Sequence, residues 1–284
     1  MFKWVRRFPS ASRSQNMVTF ITLPREIRDE IYEILLLLPI LNAAPSVADV
    51  QKANTRRDSE HVSARNIRYP SQRPTKNPIV SLLLANRQLH DEASLAIERY
   101  QKCGGVALVL DLLLEGNKWF YPTWISILPY APVVQRIRIQ IRNFAASDEA
   151  GGHPFSAVWR LGHLCNNYLK RGPALVDGED FQRTIIVEHL TVDIISDPLL
   201  DETGSSDQSA IQREMLRDFM INNIDVLLVD RYRRQSVPWG PLFLSRVREL
   251  NIAYEGNILK SINVFERAKQ CKVQVVELPE KNRT

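Results

Sequence analysis

Apolar residues recur at helical spacing within residues 20–41 and 79–101 and switch to alternation after about residue 105. Ile27, Ile31, Ile34, Leu35 and Leu38 predict a helix within residues 20–41. Phe20 and Leu23 precede Pro24, which suits the first helical position because the N–H it lacks would have no partner there. Glu26, Asp29 and Glu30 place negative charge near the positive end of the helix dipole, and Pro39 closes the run. Residues 42–77 carry no periodicity and few large apolar side chains, which predicts a flexible surface insertion. Pro78 opens a second helix over about residues 79–101, with Leu82, Ala85, Leu89, Ala93, Ala96 and Tyr100 in one stripe and Gly104–Gly105 at its end.

Beyond Gly105, Val106, Leu108 and Leu110 alternate as a strand. Further helices are predicted at Thr123–Leu128, at 155–170, at 209–230 and at 257–269. Ser209 and Gln212 have capping-box spacing, with Ile211, Met215, Phe219 and Ile224 expected to point inward. Three segments between the helices resemble one another. They start at Val134, Val187 and Val247, and each fits V-x-x-[IL]-x-[IV]-x-[IY]; Val273–Leu278 fits loosely. One such match is what any half-buried strand shows. Three of them, each followed by a helical stretch, predict a row of parallel strands joined by crossover helices. The starts are too far apart for regular leucine-rich repeats. The expectation is an irregular, leucine-rich-repeat-like β/α array, with a compact α/β sheet as the competing arrangement.

Composition narrows the class. Hydrophobic residues at 44% and charged residues at 24% are globular values, and no apolar run approaches the roughly 20 residues of a membrane span. Cys103, Cys165 and Cys271 are odd in number and far apart, so packed thiols in a reducing, intracellular compartment (cytoplasmic or nuclear) are expected rather than disulfides. The net charge of +5 is concentrated outside the predicted core. Lys3, Arg6, Arg7 and Arg13 stand in residues 1–19 with no acid, and seven basic residues stand in 42–77 against Asp49, Asp58 and Glu60. A nucleic-acid groove needs basic side chains held on one folded face, so nucleic acid is not expected as a partner. Residues 1–19 read as a disordered basic extension. Phe2, Val5 and Phe8 also give Met1–Ser14 the features of a mitochondrial transit peptide, and Met17 is an alternative start.

Catalytic patterns are missing from the sequence. The 11 glycines form no phosphate-binding spacing, there is no Cys-x-x-Cys, and no histidine pair has helical metal-ligand spacing. His163 and Cys165 diverge by about 200° on a helix, which predicts a core cysteine beside a surface histidine. His189 is expected as an ordinary surface histidine, able to reach Asp193 only along its strand, and Asp177, Glu179 and Asp180 as solvated loop charge. Trp119, Phe120, Tyr121 and Trp124, with Lys118, can stack bases or grip a peptide, but aromatic groups of this size more often form core. Trp239, in Pro238-Trp239-Gly240-Pro241, stands in a turn that can face a partner. No enzyme, cofactor or metal is expected.

The most specific signal lies in two linked motifs. The first is Phe20-x-x-Leu23-Pro24-x-Glu26-Ile27-Arg28-x-x-Ile31-Tyr32-x-x-Leu35; the second is Leu82-Leu83-Leu84-x-Asn86-Arg87-Gln88-Leu89-x-x-Glu92-Ala93, followed by Tyr100. The pair resembles the signature of the fungal F-box-like protein family. That resemblance implies helices that dock on the adaptor subunit of cullin-RING ubiquitin ligases, with a C-terminal domain that selects a target. Carried onto this chain, Leu23, Pro24, Ile27, Ile31 and Leu35 lie on or behind the adaptor-facing surface. The chain departs from a plain F-box by its insertion of about 40 residues and by Asn86-Arg87-Gln88 in place of a cysteine and a tryptophan.

The expected organisation is a basic extension at 1–19, an F-box-like helical segment at 20–103 and a β/α recognition domain at 104–284. The expected function is protein–protein recognition, as the substrate-recognition subunit of a ubiquitin ligase. The alternative is a scaffold protein whose helices only cap the array, in which case Ile27→Asp or Ile31→Asp unfolds the chain.

Overall fold

The structure, a computed structural model, describes residues 19–37, 46, 48–49, 55–57, 66–70, 79–105, 108–116, 118–127, 133–144, 153–174, 185–196, 206–229 and 240–276. The basic extension, the acidic cluster at 177–180, Trp239 and most of the insertion lie outside these residues.

The chain is mixed α/β. After a 3-10 turn at Phe20–Thr22 come α1 (Arg25–Leu37), the short strands β1 (Thr55–Arg57) and β2 (Arg68–Pro70), α2 (Ile79–Ala85) and α3 (Arg87–Lys102). Strands β3 (Leu108–Glu115), β4 (Trp119–Ile127) and β5 (Val133–Phe144) follow, then α4 (Pro154–Arg171), β6 (Ile186–Ile195) and α5 (Ser206–Val229). The described chain closes with α6 (Pro241–Arg246), β7 (Val247–Tyr254), β8 (Asn257–Asn263) and α7 (Val264–Gln270).

Six strands form one sheet in the order β4-β3-β5-β6-β7-β8, with β3, β5, β6 and β7 parallel and the two outer strands antiparallel to their neighbours. The three similar sequence segments are β5, β6 and β7, and their motif positions stack in register. Ile137, Leu190 and Leu250 form one rung, Ile139, Val192 and Ile252 the next, and Ile141, Ile194 and Tyr254 the third. β3 extends the three rungs with Leu108, Leu110 and Leu112. All of these except the half-buried Tyr254 are buried, in one core cluster with Val158, Leu161 and Leu164 of α4 and Leu216, Met220 and Ile224 of α5. Alternation sends the intervening residues to the other face. There Arg142 makes two hydrogen bonds of 2.7 Å to buried Asp111, and Arg138 holds buried Asp193.

Several expectations are corrected. Of the helix expected at Thr123–Leu128, the described residues 123–127 are not helical: Trp119–Ile127 is strand β4, whose aromatic and β-branched residues favour a pleated surface. Phe120 and Trp124 turn inward, and the Trp124 indole N–H donates to the Pro173 carbonyl at 2.8 Å. The helix expected at 257–269 splits into β8 and α7, because Glu255 and Gly256 at φ 50° and 79° form a two-residue hairpin turn after β7. Asn263 then caps α7, accepting from the Glu266 N–H at 3.0 Å. Residues 273–276 are irregular rather than strand. The helix expected at 79–101 is two, because Asn86 is extended and accepts the Leu89 N–H at 2.9 Å. In α5, Ser209 and Gln212 are buried inside the helix, and Ile211 and Met215 face solvent while Leu216 and Met220 are buried. Apolar residues on both sides of α5 made either register readable. His163 is buried rather than exposed, since α4 contacts both α5 and α6 as well as packing on the core.

The insertion is also more than a surface loop. Ile67 and Tyr69 are fully buried, Ile67 bridges to Phe120, and the Asn167 amide donates to the Tyr69 hydroxyl at 3.1 Å.

Candidate functional site

The candidate site is the first helix, held by the two helices that follow it. Its inward face is built from residues four apart: Arg28, Tyr32 and Leu36, all buried. Arg28 meets Glu92 of α3 as a fork, with Nε to Oε2 at 2.8 Å and Nη2 to Oε1 at 2.7 Å. The Tyr32 hydroxyl donates to Glu92 Oε2 at 2.9 Å, and the Gln88 amide to Oε1 at 3.0 Å. Arg25 adds a further contact to Glu92 at 3.0 Å. The remaining nitrogen of the Arg28 fork donates to the carbonyls of Ile21 and Leu23, which locks the turn before the helix. A second link runs from Arg99 of α3 to Asp29 at 3.3 Å, with Arg25 on the same carboxylate at 2.9 Å.

The electrostatics follow from this geometry. The Arg28 fork holds the Glu92 carboxyl down at about 2, against the opposing effect of burial. Burial first, and the hydrogen bond to Glu92 second, push the Tyr32 hydroxyl up to about 12. Hydrogen bonding to Arg25 lowers Asp29. Glu92 is thus a permanent anion at neutral pH, and both motif halves are fastened through it.

The outward face is different. Ile27 and Ile34 are 42% and 56% exposed, and Ile31 sits half-buried beside them. Glu26, Glu30 and Glu33 form a parallel exposed row one step round the helix. Of the five residues expected to meet a partner, Ile27 and Pro24 are exposed, while Leu23, Ile31 and Leu35 are half-buried. Leu35 packs against the core, and Leu23 contributes its carbonyl to Arg28. The five thus divide between exposed and half-buried positions, none of them fully buried. Ile34 joins Ile27 among the exposed.

Arg28, Tyr32, Gln88 and Glu92 stand in the two sequence motifs, where no chemistry singles them out. Their signal was available: each pair is spaced by four residues, so each pair lies on one helix face.

His189 lies 3.2 Å from Glu249 of the neighbouring strand rather than reaching Asp193, and the Ser261 hydroxyl donates to the same Glu249 at 3.0 Å. The carboxylate stands between serine and imidazole, whereas a hydroxyl nucleophile needs the imidazole in the middle. Burial pushes the Cys165 thiol up to about 12, far from the thiolate a nucleophile requires. A cavity of about 20 Å³ between the sheet, α4 and α6 is lined by apolar groups such as Leu110, Ile139 and Leu190, too small for a substrate. Among the described residues no cluster of three His, Cys, Asp or Glu can hold a metal, and no helix is long and apolar enough to cross a membrane. No protein-family model, curated protein or solved structure matches this chain.

Proposed function

We propose that this chain is a non-catalytic, intracellular recognition protein that docks on a partner protein through the outward face of α1. One observation carries the reading: a helix fastened on its inner side by a buried ionic fork turns Ile27 and Ile34 to solvent. Exposed apolar side chains on a pre-ordered helix are the anchors of helix-in-groove recognition, and the order is already present before binding. The motif resemblance supplies the partner class, the adaptor subunit of a cullin-RING ubiquitin ligase, with the strand–helix region selecting a target.

The alternative, a structural cap, draws on a separate observation. Tyr32, Leu36, Ile79 and Ala93 belong to the same buried cluster as the sheet rungs, so the helices also cover the core. The two readings part at Ile27. Co-purification of the chain with the adaptor is compared with Ile27→Asp and Ile34→Asp, each checked by circular dichroism. Complex formation that is lost in folded variants supports docking. Absence of a complex with the intact chain leaves the cap reading.

A further inference from the structure

The outer face of α1 has a double character: an apolar strip of Ile27, Ile31 and Ile34 beside an acidic strip of Glu26, Glu30 and Glu33. Those three glutamates are exposed and make no ion pair among the described residues, in contrast to Asp29 and Glu92 on the inner side. An occupant of this face must bring apolar side chains and positive charge together, at helical or near-helical spacing.

The chain itself contains such a segment, immediately before the face. Phe2, Val5 and Phe8 recur every third residue, with Trp4 beside them, and Lys3, Arg6, Arg7 and Arg13 are interleaved with no acid. The stretch leads straight into Thr19, where the turn before α1 begins. Reach is no obstacle. The ten residues between Phe8 and Thr19 span up to about 35 Å when extended, whereas the 13 residues of α1 are about 20 Å long.

We propose that residues 1–18 fold back on the outward face of α1, setting Phe2, Val5 and Phe8 against Ile27 and Ile34 and the four basic side chains against Glu26, Glu30 and Glu33. The segment then acts as a built-in competitor, and a partner for this face must displace it. Tethering favours the contact, because a short linker holds the segment at a high effective concentration even where each contact is weak. The inference builds on the reading of this face as a docking surface, but its test uses no adaptor, so the two can fail separately.

Limited trypsin digestion of the full chain tests it. Cleavage after Arg6, Arg7 and Arg13 is followed by mass spectrometry in the intact chain, in Ile34→Asp and in Glu30→Lys/Glu33→Lys. Docked bonds are cut only when the segment lifts off, so the intact chain is expected to lose it at least about tenfold more slowly than either variant. Raising the salt concentration should narrow the gap, because the charge pairing is exposed to screening. Carbodiimide, which joins an amine to a carboxylate without a spacer, should link Lys3 to Glu26, Glu30 or Glu33 in the intact chain. Equal cleavage rates in all three proteins, or crosslinks of Lys3 only to acids elsewhere, would overturn the proposal.

Discussion

The helices at 25–102 and the sheet at 108–263 weight apolar burial and buried ion pairs differently, although the sheet carries a buried fork of its own, Arg142 on Asp111. In the sheet, rungs such as Leu110, Ile139, Val192 and Ile252 meet across four strands, and the helices of the same region cover them. Burial of such residues stabilises by area and needs no particular partner. In the helices, one carboxylate, Glu92, collects Arg28, Tyr32, Gln88 and Arg25, and apolar side chains of α1 are left outside. A buried ion pair contributes little net stability over an apolar replacement, yet it fixes which groups must meet. The sheet is thus built for stability, and the helix group for a specified orientation of α1.

The largest expected effect comes from breaking the sheet. Val192→Asp places an unpaired charge at a fully buried rung, at a cost of about 4 kcal/mol or more. Hydrogen exchange should show protection lost from both regions, because Tyr32 and Leu36 belong to the sheet's cluster. Retained protection in α1 and α3 would show that the helices fold without the sheet.

Glu92→Ala comes next. It leaves Arg28 buried with no anion and should cost about 3 kcal/mol, read as a lowered denaturation midpoint. Exchange in α1 and α3 should rise while the sheet strands stay protected. Equal loss in the strands would merge the two regions into one cooperative unit and end the distinction drawn between them.

Acid should act on the same point more gently. Glu92 has a folded value of about 2 against an ordinary 4.5, so its contribution is complete above pH 4.5 and is lost as pH falls through about 2. Stability should therefore fall with decreasing pH across that window, and Glu92→Gln should flatten that part of the profile in urea titrations. An unchanged slope in Glu92→Gln would assign the acid sensitivity to other carboxylates.

The smallest effect belongs to the outer face. Ile27→Asp and Ile34→Asp should change stability by no more than about 1.5 kcal/mol, most of it from release of the docked N-terminal segment, since neither side chain is buried in the core. A thermal midpoint lowered as far as that of Glu92→Ala would place these residues in the core and favour the cap.

Much of the fold was legible because periodicity reports burial. Val158, Leu161, Leu164 and Tyr168 marked α4, and the three alternating segments foretold the parallel strands, whose motif positions the structure then sets in register. Errors arose where local pattern is ambiguous. Trp119–Ile127 reads as helix or strand until Leu108–Glu115 is there to pair with it. The hairpin at Glu255–Gly256 lacks the Asn-Gly signal that usually marks such a turn. In α1, both faces carry isoleucine or leucine, so spacing could not say which one turns inward.

By itself the sequence determined the α/β class, the positions of the main helices, the matching of β5, β6 and β7, and the pairing of two helical motifs across a long insertion. Those features depend on the order of apolar and polar side chains within short windows, where geometry is set by the backbone period. Only the tertiary structure decided that Arg28 and Tyr32 point to Glu92, 64 and 60 residues away, and that Ile27 and Ile34 are therefore turned outward. A charge can be buried only where its counter-charge is brought to it, and that meeting is a property of the packed chain.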